Sequence, residues 1–183
     1  QHWSWDRILR SVFIKQADVL QGLYFFEEDF DIETKKENFD YYEPRTLHES
    51  SLSPCVHAVL ASKIGAKEKA YEMYLHTARL DLDDYNKEVD EGLHITSMAG
   101  SWISIVEGFA GVRINEQGLF LNPILPKEWK EYAFNMMYKG NKLSVCVTSN
   151  LVKLTNTSEK TIKAFIFGEP IEILAKKTIS QAC

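Results

Sequence analysis

The stretch Asp90–Gly111, DEGLHITSMAGSWISIVEGFAG, decides how the first half of the chain is interpreted. Large apolar side chains follow Gly92 with the helical spacing i, i+4, i+7, i+8 and i+11. This spacing predicts one buried helical face, made of Met98, Trp102, Ile105, Val106 and Phe109. Thr96 is the expected N-cap, because its hydroxyl can accept a hydrogen bond from the first free backbone N–H groups.

The start of this predicted helix carries a cluster of small polar side chains. His94, Thr96 and Ser97 stand where unpaired backbone N–H groups and the helix dipole attract anions. A histidine and two hydroxyl groups at that position suit a phosphate group. A capped core helix with a polar start explains the same pattern, and from the pattern alone it is the simpler interpretation.

A second helix is predicted to begin within the run Ser50–Pro54, SSLSP. Ser53 has the side chain of an N-cap, Pro54 suits the first helical position, and Gly65 marks the end of the helix. Ser50 and Ser51 therefore lie just before another helix N-terminus. If the two helices converged, their N–H groups and hydroxyls would form one anion pocket, and the sequence leaves open whether they do.

Three more segments of the first half are predicted from their periodicity. Ser11–Phe26 is expected to be a buried helix with Lys15 and Gln16 in or beside its apolar rows. Such a lysine is either a paired structural residue or part of a site, because an unpaired buried charge is costly. Glu27–Asp40 is expected to be a polar, acidic connection, and it lacks the residues of a calcium loop. Ala66–Leu80 is expected to be a helix with a narrow buried stripe.

After Gly111 the pattern changes to short segments in which apolar and polar residues alternate. The predicted strands are Val112–Ile114, Leu119–Leu121, Phe134–Tyr138, Leu143–Val147, Leu151–Thr155, Ile162–Phe167 and Ile171–Leu174. Turns are expected at Asn115–Gly118 and Lys139–Asn141, and the regular spacing of strands and turns indicates a β-sandwich. We therefore expect an α+β chain with a helical domain at 1–111 and a β-sheet domain at 112–183.

Composition excludes several classes of function. The net charge of −5 provides no basic surface for nucleic acid. No apolar run approaches the length of about 18 residues that a membrane span needs, and no signal-peptide pattern is present. We therefore expect a cytoplasmic protein that binds neither nucleic acid nor membrane.

The cysteines and histidines do not have the spacing of a metal site. Cys55, Cys146 and Cys183 are expected to be reduced thiols. His48-Glu49 is not the start of an HExxH zinc motif, because Leu52 stands where the second histidine would be. We therefore expect no metal ion. The first residues are rich in Trp and Arg and follow no initiator Met, so we expect the chain to be the C-terminal piece of a longer protein.

Four segments together resemble glycoside hydrolase family 65. They are WDRILRSVFIKQADVLQGLYF from Trp5, YYEPRTLHESSLSPCVHAVLASKIG from Tyr41, AYEMYLHTARLDLDDYN from Ala70 and EVDEGLHITSMAGSW from Glu88. The motifs IKQADVL, HESSLSP and GLHITSMAG are specific in combination. The resemblance implies an α+β fold: the C-terminal helices of an (α/α)6 barrel, followed by a small antiparallel β-sandwich domain.

The resemblance also implies an activity. Members of this family are inverting disaccharide phosphorylases, and this chain would be part of an enzyme that converts maltose and phosphate to β-glucose 1-phosphate and glucose. Trehalose, kojibiose or nigerose are alternative substrates, and hydrolysis on the same scaffold is an alternative reaction. A non-catalytic fragment is the alternative from another class.

The family's site residues transfer by motif. No catalytic residue is expected in this chain, because the general acid, a glutamic acid, lies upstream in the family, so the chain alone is expected to be inactive. The residues expected to bind the sugar are Lys15, Gln16 and Glu49, and those expected to bind phosphate are Ser50, Ser51, His94, Thr96 and Ser97. No cofactor is expected beyond inorganic phosphate as co-substrate. The expected partners are the disaccharide, the N-terminal remainder of the protein and a second copy in a homodimer.

Overall fold

The computed structural model describes residues 3–183, and the chain divides into two compact units, Gln1–Ser104 and Ile105–Cys183. In the described part, the first unit contains α1 (Trp5–Leu9), α2 (Asp18–Phe25), α3 (Ile32–Tyr42), α4 (Ser53–Lys63), α5 (Lys67–Ala78) and α6 (Ile95–Ile103). Short 3-10 turns lie at Glu27–Asp29, Glu43–Arg45 and Val89–Glu91. None of the helices in residues 3–183 is long and apolar enough to cross a membrane.

Helix α4 is the centre of the first unit. Its residues from Val56 to Ala61 are all at most 4% exposed, so it is buried on every side and packs against α2, α5 and α6. Gly65 ends it as predicted, with a φ of 80° that favours glycine. The N–H groups of Gly65 and Ala66 donate to the carbonyls of Ser62 and Ala61, at 3.2 and 2.8 Å. The predicted start is off by one residue, because Leu52 is the N-cap and Ser53 is the first helical residue.

The prediction of a helix over Ser11–Phe26 was wrong in its first half. Helix α2 begins only at Asp18, because the backbone before it bonds to another segment. The N–H of Ile14 donates to the carbonyl of Arg45 at 3.0 Å, and the carbonyl of Ile14 accepts from Leu47 at 2.9 Å. Val12 and Phe13, which precede α2, are exposed, so their helical spacing did not report a buried face.

The segment Glu27–Asp40 is mostly helical, so the prediction of a polar connection was wrong here. Asp31 caps α3 by accepting from the N–H of Thr34 at 2.7 Å. The sequence did not reveal that Lys35 is buried, with its ammonium donating to the carbonyls of Glu27 and Phe30. Those carbonyls compensate the cost of removing the charge from water.

Helix α6 differs from its prediction at its start and on its face. His94, not Thr96, is the N-cap residue. Met98 and Trp102 are 48% and 51% exposed, whereas the buried residues of α6 are Ser97 and Gly100. The α-helical period also ends early, because a π-helical segment, Ser104–Phe109, follows α6 along the chain and shifts the register of the later apolar residues.

The second unit consists of two four-stranded sheets. One has the order β1-β2-β6-β7, with β1 Arg113–Ile114, β2 Leu119–Leu121, β6 Ile162–Ile166 and β7 Glu169–Ile173. The other has the order β3-β4-β5-β8, with β3 Glu131–Tyr138, β4 Asn141–Thr148, β5 Leu151–Asn156 and β8 Thr178–Ala182. All neighbours are antiparallel except β2 and β6, which are parallel.

The two sheets bury alternate residues of their strands in a common core, which confirms the predicted α+β fold with a C-terminal β-sandwich. The predicted strands and both predicted turns are present, and β8 is the strand that the sequence did not predict. The two compact units divide after Ser104, and the domain boundary predicted after Gly111 stays a prediction.

Candidate functional site

Two helix starts lie beside the last turns of α5. His48, a few residues before α4, has its ring centroid 5.8 Å from that of His76 near the end of α5. Ser97, in the first turn of α6, donates its hydroxyl to the carbonyl of Thr77 at 2.8 Å. Helices α4 and α6 therefore begin at the same end of the helical unit, and a shared anion pocket between them stays a prediction.

The start of α2 belongs to the same region. An open pocket of about 210 Å³ is lined by Gln16, Ala17, Asp18, Gln21, Leu52 and Ser53. It joins the start of α2 to the start of α4, and Gln16 is the predicted sugar-binding residue in its wall. The N-termini of α2, α4 and α6 thus lie at the same end of the helical unit. Backbone N–H groups at helix N-termini favour negative charge.

Lys15 is a surface residue in this structure, not a buried one as its apolar neighbours suggested. It is exposed, and its Nζ lies 5.3 Å from the ring centroid of Trp5. The backbone pairing of Ile14 with Thr46 places Lys15 beside the chain that leads to Ser50 and Ser51. The predicted sugar-binding pair and the predicted phosphate-binding serines therefore lie on adjacent segments.

The loop between Thr46 and the start of α4 is tightly organised. His48 has a φ of 54°, a left-handed conformation that is uncommon for residues other than glycine. The hydroxyl of Ser50 accepts from the N–H of Leu52 at 3.3 Å, and the carbonyl of Ser50 accepts from the N–H of Ser53 at 3.1 Å. Glu49, Ser50 and Ser51, the three predicted site residues of this loop, are consecutive and all half-buried.

Two imidazoles contact Ser53 at the end of this loop, and the sequence analysis did not predict these contacts. His57 is fully buried and donates from Nδ1 to the carbonyl of Ser53 at 3.0 Å. Nδ1 of His48 lies 3.2 Å from the hydroxyl of Ser53, and the two rings are 4.5 Å apart. Burial lowers the pKa of His48 to about 3 and that of His57 to about 4, so both rings are neutral near pH 7. No periodicity links these histidines, and although His48 begins the HESSLSP motif, nothing in the sequence indicated that its ring would contact that of His57.

His94 has the opposite electrostatic environment. Its Nδ1 donates to Oδ1 of Asp81 at 2.6 Å, and its backbone N–H donates to Oδ2 of the same carboxylate at 3.0 Å. Its Nε2 lies 3.4 Å from Oε2 of Glu88. The hydrogen bond to Asp81, followed by the charges of Asp81 and Glu88, raises the pKa of His94 above its usual value. The predicted phosphate-binding histidine is therefore biased toward its cationic form.

The two hydroxyl residues that follow His94 have different positions. Thr96 is exposed at the second position of α6. Ser97 is only 2% exposed, and its hydroxyl is engaged by the Thr77 carbonyl between α5 and α6. Thr96 is thus accessible to an anion, while Ser97 serves the packing of α6. A phosphate-binding role for either residue stays a prediction.

The arrangement as a whole suits a small anion beside a polar molecule. It offers three helix N-termini, a histidine paired with a carboxylate, two loop serines and the exposed Lys15 at one end of the helical unit. Within residues 3–183 no group of three or more His, Cys, Asp or Glu side chains is arranged to hold a metal ion.

Comparison with known proteins agrees with this description. Residues 1–103 match the Glycosyl hydrolase family 65 central catalytic domain, and residues 112–173 match the Glycosyl hydrolase family 65, C-terminal domain. The chain is 53% identical over 171 residues to the maltose phosphorylase of Bacillus subtilis (strain 168), an alignment that covers 93% of this chain and 23% of that protein. It is 46% identical over 172 residues to the alpha,alpha-trehalose phosphorylase of Thermoanaerobacter brockii, covering 94% of this chain and 21% of that protein.

A solved structure has the same fold over the full length of this chain. It is a protein from human microbiome that is named provisionally as a kojibiose phosphorylase, with a TM-score of 0.92 and 40% sequence identity. The match covers 100% of this chain and 24% of that chain. The chain therefore spans less than a quarter of the length of the relatives that it matches.

Proposed function

Because the chain belongs to glycosyl hydrolase family 65, we propose that it is part of an inverting phosphorylase of α-linked glucosyl disaccharides. Maltose is the substrate that we favour, since the maltose phosphorylase relative has the higher identity of the two curated relatives described above. In the proposed reaction a phosphate oxygen bonds to the anomeric carbon while the bond from that carbon to the glycosidic oxygen breaks. Maltose and phosphate become β-glucose 1-phosphate and glucose.

The general acid that protonates the glycosidic oxygen belongs, in this proposal, to the remainder of the protein. Phosphate is the nucleophile, so the reaction needs no second carboxylate to activate water. The chain then contributes no catalytic residue, and by itself it would be inactive. It requires no cofactor in this scheme, and inorganic phosphate is a co-substrate.

The phosphate subsite is the part of the proposal that this chain carries. The supporting observation is the convergence of the α4 and α6 starts beside the end of α5, with His94 paired to Asp81 at that end. Ser50 and Ser51 would donate to phosphate from one side, and His94 and Thr96 from the other. Charge-assisted hydrogen bonds of this kind contribute roughly 1.5–3 kcal/mol each. Ser97 would act through its backbone N–H, because its hydroxyl is engaged.

The sugar-binding role belongs to the pocket beside α2. Gln16 lies in the wall of that pocket, and Lys15 and Glu49 lie on the segments that flank it. In the proposed enzyme, Lys15 and Gln16 hydrogen-bond the hydroxyls of the glucosyl unit. Glu49 orients a sugar hydroxyl or a phosphate-binding side chain.

The deciding experiment is a phosphorolysis assay on the full-length protein with maltose, trehalose, kojibiose and nigerose, each with and without phosphate. We expect β-glucose 1-phosphate from maltose, and none without phosphate. Release of β-glucose 1-phosphate from another disaccharide would identify that disaccharide as the substrate, and the proposed reaction type would stand. Glucose release at the same rate with and without phosphate would overturn the proposal and indicate a hydrolase.

Two variants separate a phosphorylase from a hydrolase on this scaffold. Ser51→Ala and His94→Gln remove one proposed phosphate contact each, so a phosphorylase should show a higher KM for phosphate in both. A hydrolase that uses Glu49 as its base would be insensitive to these changes and would lose activity in Glu49→Gln.

Three further points complete the proposal. The natural protein is larger than this 21.1 kDa chain, and an intact mass equal to it would favour a non-catalytic fragment.

The full-length protein is a homodimer, which light scattering after gel filtration tests. It is located in the cytoplasm, and cell fractionation would detect it elsewhere.

A further inference from the structure

One carboxylate makes two contacts with the proposed phosphate-binding histidine. Asp81 lies in the turn after α5, and His94 lies thirteen residues later at the start of α6. One oxygen of Asp81 accepts from the ring and the other accepts from the backbone N–H of the same residue, at 2.6 and 3.0 Å. The Asp81 side chain is 13% exposed and that of His94 is 22% exposed, so both groups are half-buried.

The two contacts have distinct consequences. The backbone contact fixes the residue at the N-cap position of α6, and so the place where the helix begins. The ring contact commits Nδ1 as a donor to Asp81, which leaves Nε2 as the nitrogen that can face a ligand. Since both contacts come from one carboxylate, the position and the orientation of the imidazole are set together.

The charges around the ring favour its cationic form. Two carboxylates face it: Asp81 on Nδ1, and Glu88 with an oxygen 3.4 Å from Nε2. Asp81 makes the shorter contact and the additional backbone hydrogen bond, whereas the Glu88 side chain is 42% exposed. Asp81 is therefore the main determinant of the state of His94, and Glu88 is a more exposed and more distant neighbour on the ligand-facing nitrogen.

We propose that Asp81 is the positioning residue of the phosphate subsite: it holds His94 cationic and aimed so that the Nε2–H donates to phosphate. This inference rests on the proposed function. Asp81 acts only through His94 and does not itself touch phosphate, because the negative charge of its carboxylate would repel the phosphate ion.

The test is a double-mutant cycle in the full-length protein, assayed as maltose phosphorolysis with phosphate varied. Asp81→Asn keeps an acceptor for the backbone N–H but loses the charge that stabilises the imidazolium. We expect the KM for phosphate to rise about tenfold, at the lower end of the range found when carboxylate partners of metal-binding histidines are removed, with a smaller change in kcat. Asp83→Asn is the matched control, because Asp83 lies in the same turn and pairs with Arg79 instead.

Coupling distinguishes positioning from a general structural role. If Asp81 acts through His94, Asp81→Asn should add little in a His94→Gln background, because the group that it positions is gone. Full additivity, or an Asp81→Asn enzyme that behaves like Asp83→Asn, would overturn the inference.

The pH dependence gives a second readout. Loss of the Asp81 charge lowers the pKa of His94, so the rise in phosphate KM with increasing pH should begin at lower pH in Asp81→Asn than in the parent protein. An unchanged profile would contradict the inference. If Asp81→Asn fails to fold, Asp81→Glu enters the same cycle, where full additivity with His94→Gln counts equally against it. A parent protein without phosphate-dependent activity would instead refute the proposed function.

Discussion

At the scale of single residues, the site uses histidines in two electrostatic states. His48 and His57 contact Ser53 at the start of α4 and are kept neutral by burial, whereas His94 is paired with a carboxylate. The neutral rings can hydrogen-bond to Ser53 without placing a buried charge beside the loop. The paired ring can present positive charge to an anion.

The buried histidines predict an acid-sensitive fold. The pKa of His57 is depressed to about 4, so protonation favours the unfolded chain, in which the pKa is near 6.5. Its contribution is fully present above about pH 6.5 and is lost as the pH falls toward 4. We expect His57→Asn, which keeps a donor for the Ser53 carbonyl, to have a lower melting temperature at pH 7 and a smaller further decrease between pH 7 and pH 4.5. Equal pH slopes in the two proteins would contradict the assignment of His57 as a buried neutral base.

Glu88 predicts the opposite effect to Asp81. Its carboxylate lies beside Nε2 of His94, so it repels an anion that approaches the same nitrogen. We expect Glu88→Gln to lower the KM for phosphate about twofold to fivefold, in line with the modest energies of exposed charge pairs. Glu91→Gln, a nearby exposed acid in the same turn, is the control. A higher KM in Glu88→Gln would mean that Glu88 supports the histidine rather than competing for it.

At the scale of elements, the packing of α6 depends on small residues. A Cβ added at Gly100 would lie 2.9 Å from the Cβ of Cys55 in α4 and 3.2 Å from Cγ2 of Thr77 in α5. The backbone of α6 therefore approaches both neighbours as closely as a glycine allows. This close approach holds the starts of α4 and α6 beside the end of α5, where the site residues lie.

This packing predicts a costly Gly100→Ala substitution. The added methyl group overpacks the contact, and we expect a loss of roughly 1–3 kcal/mol in the free energy of unfolding. Gly22→Ala in α2 is the matched control, because nothing lies within 4 Å of its added Cβ. The control should be neutral or stabilising by about 0.5–1 kcal/mol, as alanine is the better helix former. Similar melting temperatures for the two variants would refute the close contact.

The elements also show where periodicity succeeded and where it did not. Strands in the second unit alternate buried and exposed residues with a period of two, and most were predicted within a few residues of their bounds. Helices α2 and α6 were predicted less well. The apolar residues before α2 lie in an extended segment that pairs with Thr46, and those of α6 point away from its buried side. Apolar residues at helical spacing form a buried face only where another element packs against them.

At the scale of the whole molecule, one buried amide connects the two sheets of the β unit. Asn156 is fully buried at the end of β5, and its Nδ2 donates to the carbonyls of Lys160 and Ile173 at 2.7 and 3.0 Å. Ile173 belongs to β7 in the other sheet. The Oδ1 of Asn156 accepts from the N–H of Ser158 at 2.9 Å, so the amide uses both of its ends.

Loss of this amide should destabilise the β unit. Asn156→Ala removes the amide donor from the buried carbonyl of Ile173, and we expect a decrease of about 1–3 kcal/mol in the free energy of unfolding. Asn150→Ala, at an exposed turn of the same sheet, is the control. Thermal unfolding of both variants measures the difference, and equal stability would show that the amide does not hold the sheets together.

By itself, the sequence determined the change from helices to strands after the first half of the chain, the α+β class and the motifs that mark the family, because alternation, turn residues and short motifs are local properties. The candidate site needed the tertiary structure. Residues that are far apart in sequence, such as His48 and His76 or Asp81 and His94, come together only because α4, α5 and α6 pack through Gly100. Burial and charge pairing then decide which histidine is neutral and which is cationic, and neither can be known before the chain is folded.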